Sequence, residues 1–219
     1  MRHRTLDELS KYLREDLAWR RKENHVLQNL VRNSSASKKQ AVLRGAIAAL
    51  YAHWEGFVKT ACRVYLEFVK QRRLPNNELA MPFLGLALRQ RLKSLDHEGH
   101  VNSHVEFATW ILTEWDRRAK LPRTDEVIST SNLNSDVFKS FILGLGLPYI
   151  PDYELAEKPV IDALVEMRNH LAHGEWQIVD ESAYDEFLLW IDKLMAKVCE
   201  QVEDAVALSA YRRAIPQLV

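Results

Sequence analysis

The sequence predicts an all-α fold, an up-and-down bundle of about four long helices with shorter helices connecting them. Three observations predict it. Apolar residues recur at helical spacing along most of the 219 residues. Glycine and proline number only seven each against a hydrophobic content of 47%, a folded and helix-friendly composition. No stretch alternates as a strand does, and there is no repeat or low-complexity segment.

The elements follow in order. Thr5-Leu6-Asp7-Glu8 is a capping box, with a hydroxyl at the cap and a carboxylate three residues on. Leu6, Leu9, Leu13, Leu17, Leu27 and Leu30 then keep a helical period to residue 31. The polar run 33–37 breaks it. The longest pattern comes next: Leu43, Ile47, Leu50, Trp54, Phe57, Ala61, Val64 and Phe68 alternate in steps of four and three, the seam of a helix packed lengthwise. Leu74-Pro75-Asn76-Asn77 ends it.

Two further helices are read over 78–95 and 105–119, then a loop over 123–134 and a short helix over 135–145 that stops at Gly146 and Pro148. Pro159 opens the next helix, to His173, since proline suits a first turn and Gly174 a stop. Asp180 caps the last long helix, whose inward stripe is Phe187, Ile191, Leu194, Val198, Val202 and Ala205. The whole chain, 1–219, is read as one helical domain, with 78–150 a candidate inserted lobe. Trp19, Trp54, Trp110, Trp115 and Trp190 fall on apolar stripes and read as core; Trp176, just past Gly174, reads as a cleft residue.

Composition excludes some classes of function. No apolar run reaches the roughly 20 residues of a membrane span, and the first residues lead directly into an amphipathic helix, so neither a signal peptide nor an anchor is expected. Cys62 and Cys199 lie in apolar stretches and read as buried thiols in a reducing, cytoplasmic compartment. Net charge is zero but unevenly spread: +9 over 1–73 (16 Lys/Arg, 7 Asp/Glu), −1 over 74–151 (8, 9) and −8 over 152–219 (6, 14). Either the first helices face a polyanion, or the two ends of the bundle attract each other. Under the first reading Arg20, Arg21, Lys22, Lys38 and Lys39 are candidate phosphate contacts; under the second they form a solvated face.

Residues 166–174, Glu-Met-Arg-Asn-His-Leu-Ala-His-Gly, depart from ordinary helix composition. At 100° per residue, Ile161, Leu164, Val165 and Ala172 share an apolar face with Arg168 at its centre. A guanidinium cannot shed its charge to suit burial, so it needs a carboxylate, a phosphate or water there. Asn169 and His173 lie four apart, on a face shared with Glu166 and His170. His173 ends the helix, where the dipole favours a cation. The alternative is a structural ion pair at Arg168 and a polar helix end at His173.

Arg168, Asn169 and His173 resemble the Arg-x4-His signature of the HEPN superfamily, in which a polar residue, often Asn, follows the arginine. Residues 51–59, Tyr-Ala-His-Trp-Glu-Gly-Phe-Val-Lys, are similar to the "AHWEGF" stretch of one prokaryotic branch of it. So are Ser131-Asn132-Leu133-Asn134 and the helix end Gly144-Leu145-Gly146-Leu147. The resemblance implies a helical bundle that pairs as a homodimer, its two motifs facing one another across a cleft. It implies a metal-independent endoribonuclease without a cofactor, a toxin or antiphage-defence effector restrained by an antitoxin or another partner protein. The alternative it admits is a silent binding module for a nucleotide or protein.

The residues suit RNA cleavage by the 2′-hydroxyl. His173 would move protons and Arg168 would hold the charge building on phosphorus, with Asn169 orienting His173 or donating to phosphate. His170, Glu55 and Trp176 are secondary candidates for substrate contact, Glu55 also as a partner for Arg168 in the free protein. His97, His100 and His104 have the spacing of metal ligands, but Gly99, Asn102 and Ser103 make that stretch a loop, and no metal is expected.

Overall fold

A computed structural model describes residues 3–98, 101–128 and 132–214. Helix α1 (Leu6–Arg32) begins at the expected capping box, in which the Glu8 N–H donates to Thr5 Oγ at 3.2 Å and the Thr5 N–H to the Glu8 carboxylate at 3.4 Å. Helix α2 (Ala36–Arg72) runs back along it, and α9 (Glu181–Ala207) completes a three-helix core in which each helix packs on both others. The α2 seam is buried from Leu43 to Phe68, with Val64 partly covered, and the whole predicted α9 stripe is buried. On α1 the buried line runs through Leu9, Leu13, Leu17, Asn24 and Val31. Leu30 sits one position off that line and is exposed, contrary to its predicted inward place.

The fourth wall is one continuous helical rod with a fault in it: α7 (Pro151–Ala156), a π-helical turn over Glu157–Asp162, and α8 (Ala163–Ala172). The predicted start at Pro159 is therefore eight residues late. Pro151 opens the rod, and Pro159 lies inside the π turn. Proline in an α-helix removes one N–H bond and pushes its ring against the carbonyl four residues back; the wider π turn accommodates both without ending the helix. Asp162, closing that turn, accepts the Ser135 N–H at 2.8 Å and its hydroxyl at 2.9 Å. This fixes the start of α6 (Ser135–Gly144) to the rod.

Between α2 and α6 lie α3 (Met81–Glu98), α4 (Val101–Glu114) and a single turn, α5 (Thr124–Val127), within the stretch expected to be loop. Helix α4 stops at Glu114, short of the predicted 119, because Asn76 captures the chain there: its amide donates to the carbonyls of Glu114 and Arg117 at 2.8 and 3.1 Å. Among the described residues there is no strand, only the isolated bridges Pro75–Arg118 and Leu79–Arg212. Of the tryptophans read as core, only Trp54 is fully buried; Trp115 and Trp190 are partly covered, and Trp19 is half exposed.

The charge asymmetry is largely internal. Basic α1 lies against acidic α9, with Arg14 to Glu203 at 2.7 Å, Arg32 to Asp185 at 3.1 Å and His25 to Asp192 at 3.6 Å, while Lys39 at the start of α2 reaches Glu181 at 2.7 Å. Arg20 and Arg21, read as candidate phosphate contacts, face inward instead, Arg20 onto Asp16 and Arg21 onto the Asp192 carbonyl. Cys62 and Cys199 are free and buried, and burial pushes their thiols up to about 12 and about 11, so both stay protonated and unreactive. Among the described residues no helix is long and apolar enough to cross a membrane.

Candidate functional site

Helix α8 packs on α2 and buries Leu164 and Val165. Arg168, one turn further along the same face, meets a polar stripe beside the α2 seam. Arg44, Ala48, Tyr51 and Glu55 follow one another at intervals of four, three and four, so they line one side of that helix. The Arg168 guanidinium carbon lies 4.1 Å from the centre of the Tyr51 ring, a cation–π contact. Its Nη2 donates to Asn132 Oδ1 at 2.8 Å and stands 3.9 Å from the Glu55 carboxylate. Its Nε is buried without a hydrogen-bond partner, and the side chain as a whole is 22% exposed.

The supports are themselves fixed. The Leu133 N–H donates to the Tyr51 hydroxyl at 2.9 Å, and Asn134 Oδ1 caps α6 by accepting the Val137 N–H at 2.9 Å. Residues 132–134 thus hold Arg168, Tyr51 and α6 together. Burial, with Glu55 alongside, raises the Tyr51 phenol above its usual value and keeps it neutral. Glu55 is only 16% exposed and is also ion-paired with Lys59 on the next turn.

On the open side of Arg168 is a groove of about 460 Å³ bordered by Arg44, Ala48, Leu171, Gly174, Glu175 and Trp176. Trp176 is 78% exposed, with the Arg44 guanidinium 4.9 Å from its ring centre. Arg44 Nη1 is buried and unpartnered. Two guanidiniums therefore border one groove, and each has one buried nitrogen without a hydrogen-bond partner.

The helix end is shaped by a Schellman motif. Gly174, at φ 77°, takes the left-handed position after the cap; its N–H donates to Leu171 O at 3.1 Å, and the Glu175 N–H to His170 O at 3.0 Å. His173 is the capping residue itself and is exposed. Its side chain is not part of the Arg168 groove wall, and its tie to Asn169 is the backbone bond from its N–H at 3.0 Å. Asn169 and His170 border a second groove of about 390 Å³ on the other flank of α8, with Asn134, Asp136, Lys158 and Asp162. The His170 ring is bonded to Glu175 and lies 3.8 Å from Glu166; the Glu175 carboxylate, chiefly, raises its pKa.

Of the residues singled out from sequence, Arg168, Glu55 and Trp176 gather at one groove, Asn169 and His170 line another, and His173 projects from the helix end. Arg44, Tyr51 and Asn132 were not singled out. The regular polar spacing on α2 from Arg44 to Glu55 is the signal that finds the first two. Among the described residues no group of His, Cys, Asp or Glu could hold a metal ion. His104 is exposed on α4, while His100 and the His97 side chain lie outside the described residues.

The model of the MAE_28990-like HEPN family matches residues 9–211, from α1 past the end of α9. The chain belongs to that family. No curated protein and no solved structure matches it. HEPN domains are often ribonucleases, and the Arg168 groove, with α2, α6 and the π-faulted rod that frame it, lies entirely within the matched span.

Proposed function

We propose that this HEPN protein is a metal-independent endoribonuclease that works as a cytoplasmic homodimer, as the toxin or effector of a toxin–antitoxin or antiphage-defence system held in check by a partner protein. The observation that carries the reading is the under-used fork of Arg168. One nitrogen is anchored by Asn132, another is buried without a partner, and the group faces a groove shared with a second guanidinium. Such a fork is matched to the non-bridging oxygens of a phosphodiester.

In the reaction, the 2′-hydroxyl oxygen attacks the adjacent phosphorus, the bond to the 5′-oxygen breaks, and a 2′,3′-cyclic phosphate and a 5′-hydroxyl result. Arg168 and Arg44 stabilise the charge on the phosphorane oxygens. His173 takes the proton from the 2′-hydroxyl or gives one to the leaving oxygen. Within one chain His173 stands apart from the Arg168 groove, so the proposal requires a second copy: the exposed end of α8, with Trp176 and Ile178 (76% exposed), apposes its counterpart and brings the His173 side chains to the shared cleft.

The decisive experiment incubates wild type, Arg168→Ala and His173→Ala with mixed cellular RNA in excess EDTA and analyses fragment ends. Cyclic-phosphate ends from wild type alone are expected. Cleavage abolished by EDTA would overturn the mechanism. The separation of His173 from Arg168 favours one second reading, a binding module whose groove holds a nucleotide phosphate; absence of cleavage by a folded wild-type dimer, with nucleotide binding lost in Arg168→Ala, is its signature.

A further inference from the structure

The far end of α2 carries a second concentration of positive charge. Three grooves adjoin there. One, of about 510 Å³, is bordered by Arg4, Lys70, Arg72, Arg73 and Arg118; it shares Lys70, Arg73 and Arg118 with a second of about 340 Å³. The second shares Lys120 and Leu121 with a third of about 470 Å³ that ends at Arg89 and Arg123. Among the described residues Glu67 and Glu126 are the only carboxylates bordering the three, and Glu67 is taken by Lys70 at 2.8 Å. Of the acidic residues nearby, Glu114 is held by Arg117 at 3.3 Å and Asp125 by Arg123 at 2.8 Å. Arg4, Arg72, Arg73, Arg89, Arg118 and Lys120 have no carboxylate within ion-pair distance among the described residues.

Basic residues at a helix C-terminus commonly offset its dipole. That accounts for Lys70, Arg72 and Arg73, but not for Arg89, Arg118 and Lys120, which come from α3 and from the chain after α4. Nor does it account for the first groove's floor, where both polar atoms of the Gln71 amide and Arg72 Nε are shielded from solvent without a hydrogen-bond partner. Charge arriving from four segments, spread along three joined grooves with Leu74, Leu79 and Leu121 between, suits a strand of phosphates rather than a single anion.

We propose that this track is a second RNA-binding surface, which takes the sugar–phosphate backbone of a single strand without reading its sequence. It stands whether the Arg168 groove cleaves or only binds. At about 1.5 Å per residue, Arg72 lies roughly 40 Å along α2 from Arg44, a distance a stacked strand covers in about a dozen nucleotides. The track therefore holds a long RNA at a point remote from the groove.

The test measures binding of a fluorescent, 2′-O-methylated oligouridine about twenty nucleotides long, which cannot be cut by 2′-hydroxyl attack, between about 50 and about 200 mM salt. Arg73→Ala/Arg118→Ala/Lys120→Ala, all exposed positions, is compared with wild type and with the charge-keeping Arg73→Lys/Arg118→Lys. The triple variant should bind at least tenfold more weakly. Its slope of log affinity on log salt should fall by about 2, close to 0.7 for each lost phosphate contact. The lysine variant should keep the slope. Arg168→Ala separates the two sites: it should leave most of the slope on this uncut oligonucleotide, whatever it does to cleavage of ordinary RNA. A folded triple variant with wild-type affinity and slope overturns the track, and weakened binding in the lysine variant equal to that of the alanine variant overturns its electrostatic basis.

Discussion

Arg20 and Arg168 both extend onto α2 at the same level, Arg20 at His53 and Gly56 and Arg168 at Tyr51 and Glu55, and they end in opposite states. Arg20 is saturated. Its Nε and Nη2 donate to the Asp16 carboxylate at 2.9 and 3.3 Å, its Nη1 donates to the His53 carbonyl at 3.3 Å, and the flat of the guanidinium lies 4.6 Å from the Trp19 ring centre. The α2 backbone makes room for it at Gly56, where an added Cβ would fall 2.6 Å from Nη1. Arg168 has one hydrogen bond, a carboxylate at 3.9 Å and a stranded Nε. A guanidinium bonded from all three of its nitrogens braces two helices. One held on a single side beside an open groove is positioned for an anion that the protein does not supply. The comparison separates brace from site more sharply than burial does, since the two side chains are 11% and 22% exposed.

The comparison breaks first at the arginines themselves. Arg168→Ala should lower the cleavage rate by on the order of 10²-fold or more and leave thermal stability almost unchanged. Arg20→Ala should do the reverse. It strands a largely buried Asp16 carboxylate, which costs about 3 kcal/mol, or roughly 10 °C in melting temperature for a chain of this size. Thermal melts and RNA cleavage on both variants decide it; an Arg168→Ala protein that melts as low as Arg20→Ala makes Arg168 a second brace.

Much of this contrast was present in the sequence, and the missing part has a physical reason. The α2 seam and the α9 stripe are legible because periodic burial repeats over many turns, so an error at one position, as at Leu30, leaves the helix intact. Arg168 is legible because a guanidinium in an apolar face is conspicuous. Gly56 and His53, by contrast, form part of the "AHWEGF" stretch, yet they serve Arg20 from another helix, and no local pattern announces a partner 33 residues away. Asn132 lies 36 residues from Arg168 and meets it only through the fold. Pro159 misled because proline signals a helix start locally, whereas here the rod already running from Pro151 absorbs it in a π turn.

The contrast can also be sharpened by making Arg168 resemble Arg20. Asn132→Asp replaces a neutral acceptor with a carboxylate on the same nitrogen, giving Arg168 a close ionic partner. Stability should hold or rise, and cleavage should fall about tenfold as the fork is drawn from phosphate, less than the roughly 10²-fold or more that follows from losing the fork outright. Cleavage at the wild-type rate would show that the spare donors of Arg168 do not matter. Gly56→Ala acts on the other arginine: the new methyl pushes the Arg20 guanidinium off Asp16 and should cost about 1–2 kcal/mol by overpacking, with cleavage per folded molecule unchanged. A chemical denaturation series measures it.

The smallest effect lies in pH. His53, 7% exposed beside Trp19, has its pKa lowered chiefly by burial, with the Arg20 charge adding to this and Glu23, 3.5 Å away, opposing it. The unfolded chain takes up a proton at His53 near the ordinary value of about 6.5, while the folded chain takes it up only at lower pH. Between those two values the unfolded state binds more protons, so stability rises with pH there and is lost as pH falls below about 6.5. His170 acts in the opposite sense. Its pKa is raised by Glu175, so what it contributes is present below about 6.5 and is lost as pH rises through its folded value. Denaturation midpoints at successive pH values should thus show a loss on acidification that His53→Gln reduces, because glutamine has no proton to gain and leaves the backbone carbonyl used by Arg20 in place. His170→Gln should remove a loss on the alkaline side instead. If His53→Gln keeps the full acid slope, the carboxylates carry it, and the Arg20 brace owes nothing to the neutral imidazole packed against it.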